Sequence, residues 1–379
     1  MGMRVLFAGG GTAGHINPAL AIAGYLRETE PDTAILYVGN AGGMEERLVP
    51  AAGFDFRSVK ISGFQRKLSL QNIKRNAQTL VRVVTASSQA KKIIREFKPD
   101  ICVGTGGYVS GPVIREAMKM GIPAVIHEQN AYPGVTNKML AKRASRVMLA
   151  VADAQRHFDA DAHCVLTGNP VRQELAKADR EDSRRALGLD ARPLILSFGG
   201  SLGARSINEA VADLLVYSSR TDRYQHIHGY GQYAKWMPEL VKEKGVALEE
   251  HPGIELREYI HNMPQCMAAA DLVICRAGAI TLSELQALGK ASILIPSPNV
   301  AENHQYHNAM ALVKRDAAVL IEEKDLTGEL LWKKVEEIFS RPGGAEELGR
   351  NAAKMAVPDA CQRIVKIMHQ VMEEKAFGK

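Results

Sequence analysis

Four stretches of the chain carry residue types and spacings that can do chemistry. Gly9-Gly-Gly-Thr-Ala-Gly14 is a glycine loop with His15 directly after it. Glycines let backbone N–H groups close on phosphate oxygens. An imidazole at a helix N-terminus is disfavoured as the cation by the helix dipole, and the neutral ring is a general base. Val103-Gly-Thr-Gly-Gly-Tyr-Val-Ser-Gly-Pro112 and Ile195-Leu-Ser-Phe-Gly-Gly-Ser-Leu-Gly203 are further strand–glycine–helix junctions. Cys275-Arg-Ala-Gly-Ala-Ile-Thr-Leu-Ser-Glu284 runs from a strand end into a helix start. Its N-terminus at Ala279–Thr281 is a natural pyrophosphate seat, and Glu284 offers two acceptors to a ribose diol. Three glycine loops at strand ends point to phosphate or pyrophosphate ligands.

Each feature has a plainer explanation. Glu284 could be an acid favoured by the dipole near a helix start, and His15 could make only a local hydrogen bond. Gly9–Gly14 fits the dinucleotide fingerprint, but that fingerprint also needs an acid about 20 residues on, at the end of the second strand. Here the strand ends Tyr37-Val-Gly-Asn40, which argues against a nicotinamide cofactor. The one handle for a metal is His157-Phe-Asp-Ala-Asp-Ala-His163. Its ligand types would meet only on an extended strand, so no metal and no other cofactor are expected. His226 and His228 are read as one sheet face, and Met118, Met120 and Met310 as core.

The elements that must position these residues alternate β-branched runs with amphipathic stretches. Strands are expected at Arg4–Ala8, Ala34–Val38, Phe56–Ile61, Asp100–Val103, Ala124–His127 and Val147–Val151. A second series covers Pro193–Phe198, Gln225–His228, Ile254–Arg257, Leu272–Cys275, Ser292–Ile295 and Ala318–Ile321. Helical periodicity fills the intervals, as at Asn17–Arg27 and Asn137–Lys142. The pattern predicts an α/β protein of two Rossmann-like domains whose parallel sheets face each other across a cleft. The similar openings at Val5 and Ile195 suggest a rough internal duplication. The expected boundary lies near 168–172, giving domains 1–168 and 169–357, with the tail helix 358–379 packing back on the first.

The length of 379 residues suits two domains, and 46% hydrophobic against 24% charged residues excludes general disorder. No apolar run approaches the roughly 18 residues of a membrane span. The apolar start through Ala8 is too short for a signal peptide. Five cysteines without CxxC spacing suggest a reducing cytoplasm. Residues 1–168 hold 21 Lys/Arg and 13 Asp/Glu, net +8, and the remainder 27 and 29, net −2. Residues 57–95 carry ten basic residues and no acid, interleaved with apolar ones such as Ile61, Phe64 and Leu68. That composition suggests an anionic partner surface: nucleic acid, an acidic substrate or a membrane face.

Taken in order, Gly10–His15, Ile61-Ser-Gly63, Gly104–Pro112, His127-Glu-Gln-Asn130, Thr167-Gly-Asn-Pro-Val-Arg172, Gly199–Arg205, Arg276–Glu284 and His304-Gln-Tyr-His-Asn308 closely resemble the bacterial MurG family of glycosyltransferases, which has the two-Rossmann-domain GT-B fold. The likeness spans about residues 4–310. It implies an inverting transfer of N-acetylglucosamine from UDP-N-acetylglucosamine to the C4 hydroxyl of the muramyl sugar of lipid I, giving lipid II for peptidoglycan. It further implies a peripheral protein on the anionic cytoplasmic face of the membrane, with no nucleic acid partner. By this resemblance Ile260 meets the uracil. Ala279, Ile280, Thr281, Leu282, Ser283 and Glu284 bind nucleotide and sugar. Ser201 contacts pyrophosphate, Arg172 the nucleotide, and Gln305 and Asn308 the donor sugar. Thr12, Ala13, Gly14 and Asn130 line the donor and acceptor side, His15 is the base, and Gly11, Gly106, Gly107 and Tyr108 take the acceptor diphosphate. Two departures are Ala13, where the family often has glycine, and His304, where relatives have glutamine. A non-transferring UDP-sugar epimerase of the same fold is the alternative, but it gives no reason for the 57–95 stretch. A non-enzymatic binder would leave the glycine loops and Glu284 idle.

Overall fold

The computed structural model describes residues 2–61, 85–171, 173–176 and 178–378. The chain forms two compact units, Met1–Pro170 with Asp359–Lys379, and Val171–Pro358.

The first unit holds seven parallel strands: β1 Arg4–Gly9, β2 Ala34–Asn40, β3 Asp55–Val59, β4 Ile101–Gly106, β5 Ala124–Glu128, β6 Arg146–Leu149 and β7 Cys164–Leu166. Their order is β3-β2-β1-β4-β5-β6-β7. Near-continuous apolar runs such as Val5–Ala8 and Ile101–Val103 are 0% exposed, as expected of strands covered on both faces. On one face Ile94, Val113, Ile114 and Leu140 pack against Leu6, Val38 and Ile126. On the other, Ile16, Ile22 and Leu26 of the helix Ala13–Thr29 pack with Ile364, Met368 and Val371 of the tail helix Ala360–Ala376. Arg146–Glu374 and His369–Glu30 contacts pin the second half of the tail helix.

The second unit has six parallel strands: β8 Leu194–Phe198, β9 Gln225–Gly229, β10 Ile254–Arg257, β11 Leu272–Cys275, β12 Ala291–Leu294 and β13 Val319–Leu320. The order β10-β9-β8-β11-β12-β13 repeats the first unit without its seventh strand. In both, the order reverses beside the first strand, β1/β4 and β8/β11. At such switch points loops diverge and open a ligand crevice. Every strand expected from sequence is present within a few residues. β7 was not expected; its three residues form a partly exposed edge, too short and too mixed to give a period.

Several expectations change in detail. Ile61 is 8% exposed and belongs to the core, so it is not surface apolar area. Residues 85–97 are helical, with Ala86, Ala90 and Ile94 buried and Lys91, Lys92 and Arg95 outward. Arg66, Lys67, Lys74, Arg75, Arg82, Phe64, Leu68 and Ser62-Gly63 lie outside the described residues. In the His157–His163 stretch, His157 packs on Tyr132 and Asp159 pairs with Lys142 at 3.0 Å. No helix among the described residues is long and apolar enough to cross a membrane. Met118 and Met120 pack partly buried against the first core.

Candidate active site

In the first unit, the ends of β1, β4 and β5 bring the sequence motifs together. β1 stops at Gly9, and the loop enters the helix Ala13–Thr29 through Thr12, its N-cap. Thr12, Ala13 and Gly14, at the start of the helix, are exposed. Gly107, at φ +81°, lies against this loop; a Cβ there would stand 2.2 Å from the Gly10 carbonyl oxygen. The Gly10 amide donates to the Gly106 carbonyl at 3.3 Å, so the loops are joined backbone to backbone. The Thr105 hydroxyl donates to the His15 carbonyl at 2.8 Å, and Gln129 donates to the Thr105 carbonyl at 3.0 Å.

The orientation of His15 follows from these contacts. Its Nδ1 lies 3.1 Å from the Gly10 carbonyl oxygen and 3.2 Å from Thr12 Oγ1. A carbonyl only accepts, so the hydrogen-bond pattern assigns the proton to Nδ1. The lone pair of the neutral ring is then on Nε2, the nitrogen turned towards Gly106, whose Cβ would meet it at 3.1 Å.

Asn130 is held by Glu128. The Asn130 amide and side chain donate to Glu128 Oε1 at 2.9 and 3.1 Å. Gly134 N–H and Asn137 Nδ2 fill Oε2 at 3.0 and 2.8 Å. Glu128 is 1% exposed and acts as the clasp of the 128–137 loop. Burial pushes the neighbouring His127 down from its ordinary range, and its Nε2 lies 2.9 Å from the Gly168 carbonyl. Tyr108 stands 54% exposed at the loop tip. The Gly11 N–H donates to Glu45 Oε2 at 3.2 Å.

In the second unit, β11 runs into the turn 276–278 and the helix Ala279–Ala287, capped by Gly278. Ala279, Ile280, Thr281 and Ser283 are partly exposed, whereas Leu282 is 4% exposed and faces the core. Glu284 is 5% exposed and lies beyond the first turn, so attraction to the helix terminus does not explain it. Burial, and after it the Glu284 charge, push the Cys275 thiol up, which keeps that cysteine inert. Asn308 is 2% exposed and donates to the Ala277 carbonyl at 3.2 Å. Gln305 accepts the Ser297 N–H at 2.9 Å. Both therefore hold the strand-end loops in shape. Ser201 is exposed on its glycine turn. The Ile260 side chain, expected against uracil, is 4% exposed and packs on Gly229. His304 Nδ1 lies 2.8 Å from the Ala301 carbonyl, a contact local to its helix start. Arg172 lies outside the described residues.

Arg276 and Glu45 were missed in the sequence. Arg276 Nη1 donates to the carbonyls of Ile295 and Pro296 at 3.1 and 3.2 Å and pairs with Glu323, joining the ends of β11, β12 and β13. It stood inside a motif but looked like any basic residue.

Behind the second glycine turn lies a buried polar chain. Ser197 Oγ is 2.7 Å from both His226 Nε2 and His228 Nδ1, and His228 Nε2 is 3.2 Å from Asn208 Oδ1. Asn208 donates to the Tyr230 carbonyl at 2.9 Å. The run passes from His226 through Ser197, His228 and Asn208 to Tyr230, and the Ser197 carbonyl also lies 3.2 Å from His228 Nδ1. His226 and His228 share a sheet face, as expected. Burial drives His226 down to about 3 and His228 to about 4. Both are then neutral in the folded state, whereas the unfolded chain protonates them near pH 6.5. Stability is expected to be full above about pH 6.5 and to fall as pH drops towards those folded values. The slope is about 1.4 kcal/mol per pH unit for each ring. Denaturant titrations at several pH values, with His226→Phe flattening the slope, check this. An unchanged slope in that variant removes the pair as the cause.

This chain belongs to glycosyltransferase family 28. The family's N-terminal domain model matches residues 5–149 and its C-terminal domain model residues 194–364. The fold is therefore GT-B, with both α/β units accounted for. The chain is 43% identical over 379 residues, 99% of its length and 100% of the relative's, to the UDP-N-acetylglucosamine–N-acetylmuramyl-(pentapeptide) pyrophosphoryl-undecaprenol N-acetylglucosamine transferase of Acetivibrio thermocellus. The Bacillus cytotoxicus protein of that name is 41% identical, covering 98% of this chain and 100% of its own. The crystal structure of Acinetobacter baumannii MurG superposes with a TM-score of 0.77 at 28% identity, covering 97% of this chain and 99% of that one. A UDP-GlcNAc 2-epimerase from Neisseria meningitidis, at TM-score 0.67 and 14% identity, shares the fold alone.

Proposed function

We propose that the chain transfers N-acetylglucosamine from UDP-N-acetylglucosamine to the C4 hydroxyl of the N-acetylmuramyl sugar of an undecaprenyl-pyrophosphoryl-linked acceptor, releasing UDP. The observation that carries this reading is 43% identity, over 99% of the chain, to a transferase named for this donor and acceptor. In the proposed step the acceptor oxygen attacks the anomeric carbon as its proton passes to His15 Nε2. The bond to UDP breaks with inversion, and the electron pair leaves on the diphosphate. The departing charge falls to the helix terminus at Gly278–Thr281 and the turn at Ser201, without a metal. Glu284 receives the ribose, and Asn308, Gln305 and Arg276 keep those loops in place. Thr12–Gly14 and Asn130 line the donor and acceptor side, and Gly11, Gly106, Gly107 and Tyr108 serve the acceptor diphosphate.

The acceptor is lipid-linked, so the protein must work at a membrane surface. Arg57, Lys60, Lys91, Lys92 and Arg95 are exposed. Basic residues near an anionic leaflet contribute about 1 kcal/mol each. The reading places the protein peripherally on the cytoplasmic face. One experiment tests both parts: UDP release from UDP-N-acetylglucosamine, with acceptor supplied in anionic or neutral vesicles at rising salt. UDP release is expected only with acceptor, faster on anionic vesicles and with that advantage lost in salt. UDP release without acceptor, accompanied by epimerised sugar, overturns the transferase reading. Equal rates on both vesicle types overturn the surface part.

A further inference from the structure

A buried carboxylate is joined to His15 through one peptide group. Glu45, the first residue of the helix Glu45–Ala51, is 0% exposed. Its Oε1 accepts the Asn40 N–H at 2.8 Å and its Oε2 the Gly11 N–H at 3.2 Å. The carbonyl of that same Gly10–Gly11 peptide accepts His15 Nδ1–H at 3.1 Å. Carboxylate, peptide and imidazole therefore form a continuous run of hydrogen bonds. Three glycines make room for the acid: a Cβ at Gly10, Gly39 or Gly43 would lie 2.1, 2.3 or 2.7 Å from Glu45 side-chain atoms. Burial, and after it the Glu45 charge, push the Tyr37 hydroxyl up, so the charge is felt beneath the loop.

We propose that Glu45 is a positioning residue that acts through the Gly10–Gly11 peptide to hold His15 in its Nδ1–H form and to strengthen Nε2 as a base. The inference rests on the reading of His15 as the base. Hydrogen bonds in series polarise one another, so a carboxylate on the N–H makes the carbonyl a stronger acceptor for Nδ1–H. A carboxylate bonded directly to a histidine fixes its tautomer and raises its basicity; here one peptide stands between them. The first turn of the His15 helix holds no acid. The titratable groups on the segments packed around the loop are Tyr37, Glu45 and Glu46 from the β2 side, Tyr108 on the β4 loop, and His127 and Glu128 on β5. Glu128 is satisfied within its own loop by four contacts. The negative charge of Glu45 favours the imidazolium, so removing it moves protonation of His15 to lower pH.

The test compares kcat from about pH 5 to 9 in the unaltered protein, Glu45→Gln, Glu45→Asp and His15→Ala. Glu45→Gln is expected to lower kcat by about tenfold, shift the acidic limb to lower pH and leave the donor KM unchanged. Glu45→Asp, which keeps the charge, is expected to return the limb towards its original position. A limb unmoved in Glu45→Gln, while His15→Ala abolishes it, overturns the role of Glu45 alone. A limb that persists in His15→Ala overturns the base reading, and this inference with it. Should the Glu45 variants not fold, nitrogen NMR of the unaltered protein decides the tautomer. Protonated Nδ1 on neutral His15 is expected; protonated Nε2 overturns the inference.

Discussion

His15→Ala is expected to lower kcat by about 10² to 10⁴ while leaving affinity for UDP-N-acetylglucosamine close to unaltered. The acceptor hydroxyl is a poor nucleophile unless its proton leaves as the new bond forms. His15 Nδ1 is spent on the Gly10 carbonyl, and Nε2 carries the lone pair. Protonating Nε2 abolishes the base, so kcat falls on the acid side of its profile, and that limb should vanish in the variant. Donor affinity should survive because the residues assigned to UDP lie in the other unit, beginning at Val171. The rival role is binding of the acceptor diphosphate beside the exposed first turn. That role predicts a raised acceptor KM with kcat restored at saturating acceptor. Full recovery of kcat would end the base assignment.

The fold was legible because parallel strands covered on both faces announce themselves as apolar runs. Leu6, Ile101 and Ile195 are each 0% exposed and each lies in such a run. The repeated β–α alternation then left few topologies. The glycine loops were legible for a related reason: backbone cannot approach backbone where a Cβ intervenes, so Gly107 had to be glycine. Contacts made by charged side chains across the fold were not legible. β2 ends at Asn40 without an acid, yet Glu45 reaches back from the next helix to the Asn40 and Gly11 amides. Five residues of separation hid it, and its full burial removes it from any ribose. The run Gly39…Gly42-Gly43-Met-Glu45 was the available signal, since glycines on both sides of an acid allow it to be buried. Ile260 is a motif position whose side chain packs within its own unit, and spacing alone did not announce that burial.

Glu284→Ala is expected to raise the donor KM by about 10- to 150-fold, since losing hydrogen bonds to a charged group costs about 1.5–3 kcal/mol. The carboxylate is 5% exposed and stands beyond the first turn of its helix. A carboxylate has two acceptor oxygens, and a vicinal diol supplies two hydroxyl donors that match them. The ribose takes no part in the bond changes, so the contact is equally strong in ground and transition states. Its loss should therefore appear in KM, with kcat at saturating donor little altered. Free UDP carries the same ribose, and its inhibition constant should rise in parallel. Glu284→Gln, which keeps one acceptor oxygen, should fall between. The controlling comparison uses a donor lacking the ribose 2′-hydroxyl. That donor should bind less tightly to the unaltered protein and lose less in Glu284→Ala than the natural donor does, because one of the two hydrogen bonds to the carboxylate has already gone. A folded Glu284→Ala protein with unchanged donor KM and unchanged UDP inhibition would remove Glu284 from the site. It would also return the helix Ala279–Ala287 to a purely structural role at that position.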